Sequence, residues 1–459
     1  MRRLARFVLG LLYRDIEIVG AEHLPKTGAA IVIANHGNSL VDGGLLLGFL
    51  PRIPRFLAAS TVWDYKPVAP FMDASGSVKV FRQQDGRAHE GSLEDSFADA
   101  AALLADGGVL AIFPEGRTHD GSGLLPFKTG TARIVDFTKQ RHPGLDLAIV
   151  PVGVDYEVKS AFRSRVTFTF GAPLAPGRVP VRDGSGAEDA NGTNGAFRAE
   201  SGRLQAALSA VAPDFSDARE ARAARLGGEI LALEAGGGGS PRGPLFSRVV
   251  AGQRAVRAAF DGGETEMQRE ADDPAAPGAV AEARAALAAY GAALDHAGLT
   301  DHEVAAPRGV RLSDAVGVVL CLPLLLVAFV FNLPQALLLR AVSRTKPRDR
   351  QLTWITFGGL VVYPASWILW AVVLGLVAGA TLGAGWGWAV ALAVLVGAPV
   401  SGRLALPWID RGARIVRAIR VRRHLSRAPE LGPRLAALRS TARQGLGALG
   451  LRSEANRPQ

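Results

Sequence analysis

Three long apolar runs near the C-terminus constrain this chain more than any other feature. They cover residues 316–339, 354–379 and 386–409 and carry almost no charge. Each run approaches the roughly 20 residues that an α-helix needs to cross the hydrocarbon core of a bilayer. Hydrophobic residues make up 48% of the chain and its mean hydropathy is +0.18, which is high for a purely soluble protein. These features predict a protein that is bound to a membrane.

The charge distribution predicts how the apolar runs are oriented. From residue 340 onward 18 Lys and Arg stand against 4 Asp and Glu, a net charge of +14, so the rest of the chain sums to −4 of the total +10. The basic residues cluster in the loop 340–352 and after residue 410, whereas 380–385 has none. The positive-inside rule therefore predicts that 354–379 and 386–409 cross out and back, followed by a basic cytoplasmic tail at 411–459.

The first apolar run, 316–339, does not fit a simple span. Basic residues lie on both sides of it, and Pro323 and Pro334 interrupt it. An even number of crossings, or none, is needed there, and proline breaks the helical hydrogen-bond ladder. We predict a re-entrant or kinked hairpin within the membrane segments at 311–410, with a full span as the alternative.

The basic surface favours anionic lipid headgroups over nucleic acid, because its arginines cluster against apolar helices and no separate basic folded domain accompanies them. Residues 1–14 combine arginines with a short apolar stretch and lack a small-residue cleavage site, which predicts an amphipathic membrane anchor. A single cysteine, Cys321, excludes a disulfide framework. We expect a protein of the cell membrane whose soluble part lies on the cytoplasmic face, with membrane lipids as partners and no nucleic acid.

Residues 15–180 have the pattern of an α/β core. Short apolar runs predict seven strands, at 15–19, 29–34, 55–59, 78–81, 109–113, 147–154 and 165–171. Helices are predicted between them, notably at 39–49, 89–105 and 128–140. Beyond this core, 181–310 is predicted to be a Gly-rich polar loop followed by helices rich in Ala, Arg and Glu. No residue pattern in this region indicates a catalytic or binding role.

Two predicted strands end in polar residues that could converge. The strand 29–34 leads to His36, with Asp42 six positions further on, and the strand 109–113 leads to Glu115. In open α/β sheets, functional sites lie at the carboxyl ends of the strands. The two strand ends therefore predict one polar site.

The pair His36 and Asp42 suits deprotonation of an alcohol. An imidazole titrates near neutrality and can take a proton from a hydroxyl, while a carboxylate on its other ring nitrogen fixes the tautomer. For the two side chains to meet, the chain must turn at Gly37 before a helix begins. The sequence has no G-x-S-x-G elbow, no Cys/His cluster of metal spacing and no P-loop, so neither a covalent acyl-enzyme nor a metal or nucleotide cofactor is predicted.

These residues resemble the signatures of the glycerolipid acyltransferase family, N-H-x-x-x-x-D and F-P-E-G, at 35–42 and 113–116. Residues 76–82, Gly-Ser-Val-Lys-Val-Phe-Arg, are similar to the family's second block, in which a glycine leads an apolar strand that ends in arginine. Residues 149–153, Ile-Val-Pro-Val-Gly, resemble its fourth block, a strand with an embedded proline. The resemblance implies a mixed sheet flanked by helices.

The resemblance also implies roles for single residues. His36 would be the general base and Asp42 its orienting partner, and Pro151 would shape the wall near the acyl chain. Arg82, Glu115 and Gly116 would bind the phosphorylated acceptor, with a structural role for Glu115, as an acceptor of backbone N–H bonds beside the turn, as the alternative. Arg117 is placed with the substrate-binding residues, and Lys128 is either a phosphate ligand or an ordinary surface lysine. The implied donor is a fatty acyl thioester, acyl-CoA or acyl carrier protein, with no metal.

Residues 113–120 and 124–130 look like the branch of the family that acylates glycerol 3-phosphate or dihydroxyacetone phosphate. Arg117 and Thr118 depart from that branch, which commonly has a small residue and Ser there, so the choice of acceptor stays open. We expect a membrane-bound O-acyltransferase of phospholipid biosynthesis that acylates a glycerol-phosphate hydroxyl. The alternatives are a 1-acylglycerol-3-phosphate or other lysophospholipid acyltransferase and, outside enzymes, a non-catalytic lipid-binding scaffold.

Overall fold

The structure is a computed structural model that describes residues 1–66, 68–81, 92–177, 190–236, 245–269, 278–306 and 309–451. The chain divides into two compact units, residues 1–221 and residues 222–459. The first unit holds the predicted α/β core, and the second holds the apolar helices.

Within the described residues, one sheet of seven strands forms the first unit. The strands are β1 (Tyr13–Val19), β2 (Ala29–Ala34), β3 (Arg55–Ala59), β4 (Val78–Val80), β5 (Val109–Ile112), β6 (Leu147–Tyr156) and β7 (Ser164–Phe170). Their order is β1-β7-β6-β2-β5-β3-β4, and only the β6–β7 pair is antiparallel. The predicted mixed α/β sheet is confirmed, and the predicted strand ends move by one or two residues.

Helices flank this sheet because its central strands are apolar on both faces. The helices are α1 (Arg2–Leu12), α2 (Leu40–Phe49), α3 (Ala69–Ala74), α4 (Leu93–Ala105), α5 (Gly130–Arg141) and α6 (Ala190–Ser209). Every residue of β2 and β5 is buried, as expected of parallel strands that are covered on both sides. The core joins Ile31, Leu110 and Ile149 of the sheet to Leu104 and Leu204 of the covering helices.

The N-terminal helix α1 is amphipathic, as the sequence predicts. It buries Leu9 and Leu12 and packs against α2, to which Arg6 Nε is tied by a 2.6 Å hydrogen bond to the Gly48 carbonyl. Its opposite face exposes Leu4 and Phe7. Anchoring of this face in a membrane stays a prediction.

The second unit is helical. Its helices are α7 (Ala218–Glu234, which begins just before the unit does), α8 (Phe246–Arg269), α9 (Gly278–Ala297), α10 (Asp301–Ala305), α11 (Leu312–Leu320), α12 (Leu322–Ser343), α13 (Arg348–Leu382), α14 (Ala384–Arg427) and α15 (Leu431–Ala448). Three of them, α12, α13 and α14, are long and apolar enough to cross a membrane, judged by length and composition alone. Helices α13 and α14 contain the second and third apolar runs, whereas the first run, 316–339, is divided between α11 and α12.

The described part of the basic tail is helical. After α14 ends, α15 packs against α9. The fully buried Asp301 carboxylate accepts hydrogen bonds from Arg439 Nε at 2.7 Å and from the Tyr290 hydroxyl at 2.8 Å. Burial is the largest of the effects that raise the pKa of Tyr290, so its hydroxyl stays protonated and donates. Helix α15 is therefore fixed to the helical region that precedes the apolar helices.

Helices α11 and α12 contact first α14 and then α13. The contacts with α14 pair Asp314 with Arg411, Leu325 and Ala328 with Ala405, and Asn332 with Ala398. The contacts with α13 pair Asn332 with Trp367, Gln335 with Ser366, and Leu339 with Gly358. Helices α13 and α14 meet at the Gly383 turn. From Asp314 to Asn332, the contacted residues of α14 lie progressively closer to that turn along the chain. From Asn332 to Leu339, the contacted residues of α13 lie progressively further from it.

Candidate active site

The end of β2 places His36 at the carboxyl edge of the sheet. Asn35, directly before it, is buried, and its side chain accepts the Val154 N–H at 2.7 Å and donates to the Val154 carbonyl at 3.0 Å. The imidazole of His36 stacks on the Phe113 ring with centroids 4.0 Å apart. These contacts fix the histidine between the ends of β2, β5 and β6.

The His36 and Asp42 side chains meet as the sequence analysis requires. His36 Nδ1 lies 2.9 Å from Asp42 Oδ2, and the Asp42 side chain is fully buried in the first turn of α2. A carboxylate can only accept, so Nδ1 carries the proton and Nε2 keeps its lone pair. The start of a helix also stabilises a negative charge. The arrangement is that of a general base oriented by a carboxylate.

The segment that joins the two residues is longer than the family signature. Five residues separate His36 from Asp42, against four in N-H-x-x-x-x-D. Ser39 adopts a positive φ of 49° in this segment. For a residue other than glycine such a conformation costs about 1–3 kcal/mol and clusters at functional sites. The loop brings the two side chains together despite the additional residue.

Two tyrosines near Asp42 were not identified from the sequence. Tyr156, the last residue of β6, donates its hydroxyl hydrogen bond to Asp42 Oδ1, and the Asn38 N–H donates to Oδ2 at 2.8 Å. Burial, with the Asp42 charge next, raises the pKa of both Tyr156 and Tyr13, whose rings are 6.0 Å apart. Tyr156 therefore stays a donor and holds the carboxylate in place. Its position directly after the fourth block was the available signal in the sequence.

Glu115 binds to the protein itself. Its buried carboxylate accepts the His36 N–H at 2.9 Å through Oε1, and the Leu125 N–H at 2.9 Å and His119 Nε2 at 2.6 Å through Oε2. Since the Gly121 N–H donates to His119 Nδ1 at 3.0 Å, the His119 proton lies on Nε2. Glu115 thus connects the end of β5 to the backbone of the base. Substrate binding by Glu115 stays a prediction.

Replacing Glu115 with Gln tests this positioning role. The amide nitrogen cannot accept, so at least one buried donor loses its partner, at a cost of about 1–3 kcal/mol. We expect the Glu115→Gln variant to have a lower melting temperature in detergent and a lower kcat, with donor and acceptor KM changed alike. The exposed Glu22→Gln is the matched control. A selective rise in acceptor KM at unchanged stability would instead place Glu115 on the substrate.

The remaining predicted substrate residues that the structure describes fall into two groups. Gly116, at φ 72°, and Lys128 lie together, since a Cβ at Gly116 would be 3.4 Å from Lys128 Cγ, and Arg117 is exposed beside them. Pro151 lies inside β6, paired with Ile33 and buried. Arg82 lies outside the described residues. The substrate-binding roles of these five stay predictions.

A lysine that the sequence analysis did not single out lies next to the base. Lys159 follows the carboxyl end of β6 and is half-buried. A Cβ built at Gly37, the residue after His36, would be 3.1 Å from Lys159 Nζ. The carboxyl edge of the sheet therefore carries a cation as well as a base. In the part of the chain that the structure describes, no group of three or more His, Cys, Asp or Glu could hold a metal ion.

Part of this chain is similar to known acyltransferases. Residues 15–155 match the family model described as Acyltransferase. Glycerol-3-phosphate O-acyltransferase 1 of Saccharomyces cerevisiae is 25% identical over 291 residues, which are 59% of this chain and 36% of that protein. Glycerol-3-phosphate O-acyltransferase 2 of the same yeast is 35% identical over 80 residues, 17% of this chain and 11% of that protein. The chain thus corresponds to a minor part of the length of these relatives.

Among solved structures, the 1-acyl-sn-glycerophosphate (LPA) acyltransferase PlsC from Thermotoga maritima is 21% identical, with a TM-score of 0.30, and covers 45% of this chain and 78% of its own. The matched residues 15–155 contain the sheet edge with His36, Asp42 and Glu115, which defines an acyltransferase domain. Residues 15–155 are therefore an acyltransferase domain that resembles those of the glycerolipid acyltransferase family.

Proposed function

We propose that this protein is a membrane-bound O-acyltransferase that moves a fatty acyl group from an acyl thioester to a hydroxyl of glycerol 3-phosphate or dihydroxyacetone phosphate. The observation that carries the proposal is the 2.9 Å contact between His36 Nδ1 and the fully buried Asp42 carboxylate. A lipid-binding scaffold has no use for an oriented base. The relative that matches over 291 residues is named for glycerol 3-phosphate, which supports this acceptor.

The chemistry follows from the orientation of the imidazole. His36 Nε2 removes the proton of the acceptor hydroxyl as its oxygen attacks the thioester carbonyl. The new C–O bond forms, the C–S bond breaks, and the imidazolium returns its proton to the departing thiolate. Asp42 stabilises the positive charge on the ring between these two steps. Tyr156 and Asn38 hold Asp42 throughout, so little reorganisation is needed when the charge develops.

The location in the proposal comes from the helices and charges of the second unit. The apolar helices α12, α13 and α14 would hold the protein in the cell membrane, and their basic ends would lie on the cytoplasmic side. The acyltransferase domain would then use cytoplasmic acyl-CoA or acyl carrier protein. Release of an acylated product into the adjacent leaflet would place the enzyme in phospholipid biosynthesis.

A panel of acceptors tests the proposal. The purified protein in lipid vesicles is incubated with radiolabelled palmitoyl-CoA, or palmitoyl carrier protein, and one acceptor at a time. We expect glycerol 3-phosphate or dihydroxyacetone phosphate to exceed glycerol by about 100-fold in kcat/KM, since glycerol forfeits one or more hydrogen bonds to charged groups worth about 1.5–3 kcal/mol each. Preferential use of lysophosphatidate or another lysophospholipid would show that the enzyme acylates an acceptor that already carries one acyl chain. Absence of ester with every acceptor would contradict an acyltransferase.

A further inference from the structure

The turn between β6 and β7 is held firmly against the candidate active site. Asn38 Nδ2 donates a 3.0 Å hydrogen bond to the Lys159 carbonyl. At the other end of the turn, Arg163 has a positive φ of 62°, and its N–H donates to the Leu12 carbonyl at 2.6 Å. Asn38 belongs to the loop between His36 and Asp42. The backbone at Lys159 is therefore fixed relative to the base.

The Lys159 side chain lies over the glycine that follows the base. Its Nζ and Cε would be 3.1 Å and 3.2 Å from a Cβ at Gly37, so the ammonium group lies against the backbone next to His36. Gly37 is buried and Lys159 is half-buried. A Cβ at position 37 would be in tight contact with the end of the lysine side chain.

The acidic groups around Lys159 are committed elsewhere. Both Asp42 oxygens accept from His36, Asn38 and Tyr156, and Glu157 pairs with Arg165 at 2.8 Å. Within the described residues no carboxylate lies within ion-pair distance of Lys159 Nζ. A half-buried ammonium group loses part of its hydration, and the attraction of an anion bound beside it compensates for that loss.

We propose that Lys159 binds the phosphate of the acceptor and thereby places its hydroxyl at His36 Nε2. This inference rests on the proposed function. The acceptor fits better than the donor because only a short glycerol backbone separates its phosphate from the reacting hydroxyl, which must lie within about 2.6–3.2 Å of the base. Lys159 is thus a specificity residue outside the four sequence blocks.

Direct binding measures this role without turnover. Equilibrium dialysis of the purified full-length protein with radiolabelled glycerol 3-phosphate gives Kd for the parent, Lys159→Met, Lys159→Arg and the control Lys26→Met. The exposed Lys26 precedes β2, at the opposite edge of the sheet. We expect Lys159→Met to raise Kd about 10- to 100-fold, as for loss of a hydrogen bond to a charged group. Lys159→Arg should stay within a few-fold of the parent and Lys26→Met should equal it.

Two further measurements complete the design. Lys159→Met should raise the inhibition constant of inorganic phosphate against glycerol 3-phosphate binding and leave KM for palmitoyl-CoA unchanged. Its melting temperature should equal that of the parent, which excludes misfolding as the cause. Parental glycerol 3-phosphate affinity in Lys159→Met, or an equal loss of donor affinity, would overturn the inference.

The design separates this inference from the proposed function. A parent protein that binds glycerol 3-phosphate through Lys159 but forms no ester contradicts the acyltransferase activity and leaves the phosphate site standing. A parent protein that binds neither glycerol 3-phosphate nor inorganic phosphate overturns the phosphate site. Ester formation with parental acceptor KM in Lys159→Met overturns the site and keeps the activity.

Discussion

Replacing His36 with alanine is expected to lower kcat for acyl transfer by about 10²- to 10⁴-fold, which is the usual contribution of general acid–base catalysis. The acceptor hydroxyl then attacks without losing its proton to a positioned base. Asp42, Tyr156 and Asn38 remain, and the imidazole is only half-buried, so the fold has little reason to change. The initial rate of ester formation from palmitoyl-CoA at saturating acceptor measures the effect.

A second histidine provides the control. His142 lies between α5 and β6, at the edge of the sheet opposite His36, so His142→Ala should keep the parental rate. Glycerol 3-phosphate binding by His36→Ala should also stay close to that of the parent, because the base is not assigned to the phosphate. Near-parental turnover in His36→Ala at saturating substrates would show that the proposed mechanism is wrong.

The strands and the contact between His36 and Asp42 were predictable because their signals are local. An apolar run such as 29–34 predicts a buried strand by itself. Gly37 likewise indicates the turn that brings the Asp42 side chain to His36. The order of the strands in the sheet could not be predicted from such local signals. That β6 lies beside β2 follows from pairing between residues more than 100 positions apart, as between Ile33 and Pro151.

The residues missed at the site depend on that long-range pairing. Tyr156 reaches Asp42 and Lys159 reaches Gly37 only because the end of β6 lies next to the end of β2. Glu115 illustrates another limit. Its position after β5 was predictable, but the sequence does not tell which groups its carboxylate oxygens contact. In the structure they accept hydrogen bonds from the His36 backbone and from His119.

The path of the first apolar run also could not be predicted from the sequence, because it depends on contacts between helices. Asn332 lies level with Ala398 and Trp367, about 22–24 Å along the helices from Gly383 at 1.5 Å per residue. Asp314 lies level with Arg411, about 42 Å from Gly383, and Leu339 with Gly358, about 38 Å from it. Both ends of α11 and α12 are therefore further from the Gly383 turn than their middle is.

Pro334 and its neighbours mark a place at which α12 can bend. Pro334 lies inside α12 and has no N–H to donate. The side chains of Asn332 and Gln335 donate to carbonyls four residues earlier, those of Ala328 at 3.0 Å and Phe331 at 2.8 Å. Such side-chain bonds compete with the backbone ladder and bend helices. A re-entrant element at 316–339 stays a prediction, and a full span stays its alternative.

Cysteine labelling is expected to give an all-or-none result that decides between these topologies. In a Cys321→Ser background, single cysteines replace Ser313, Thr345 and Ala384, all of which are exposed. Clustered arginines resist transfer across the bilayer, so 313 and 345 should both be cytoplasmic and 384 should lie on the far side. In sealed vesicles with the cytoplasmic face inward, an impermeant maleimide should label only Ala384→Cys, and permeabilisation should add the other two. If Ser313→Cys and Thr345→Cys labelled from opposite faces, α12 would be a full span and three crossings would anchor the enzyme.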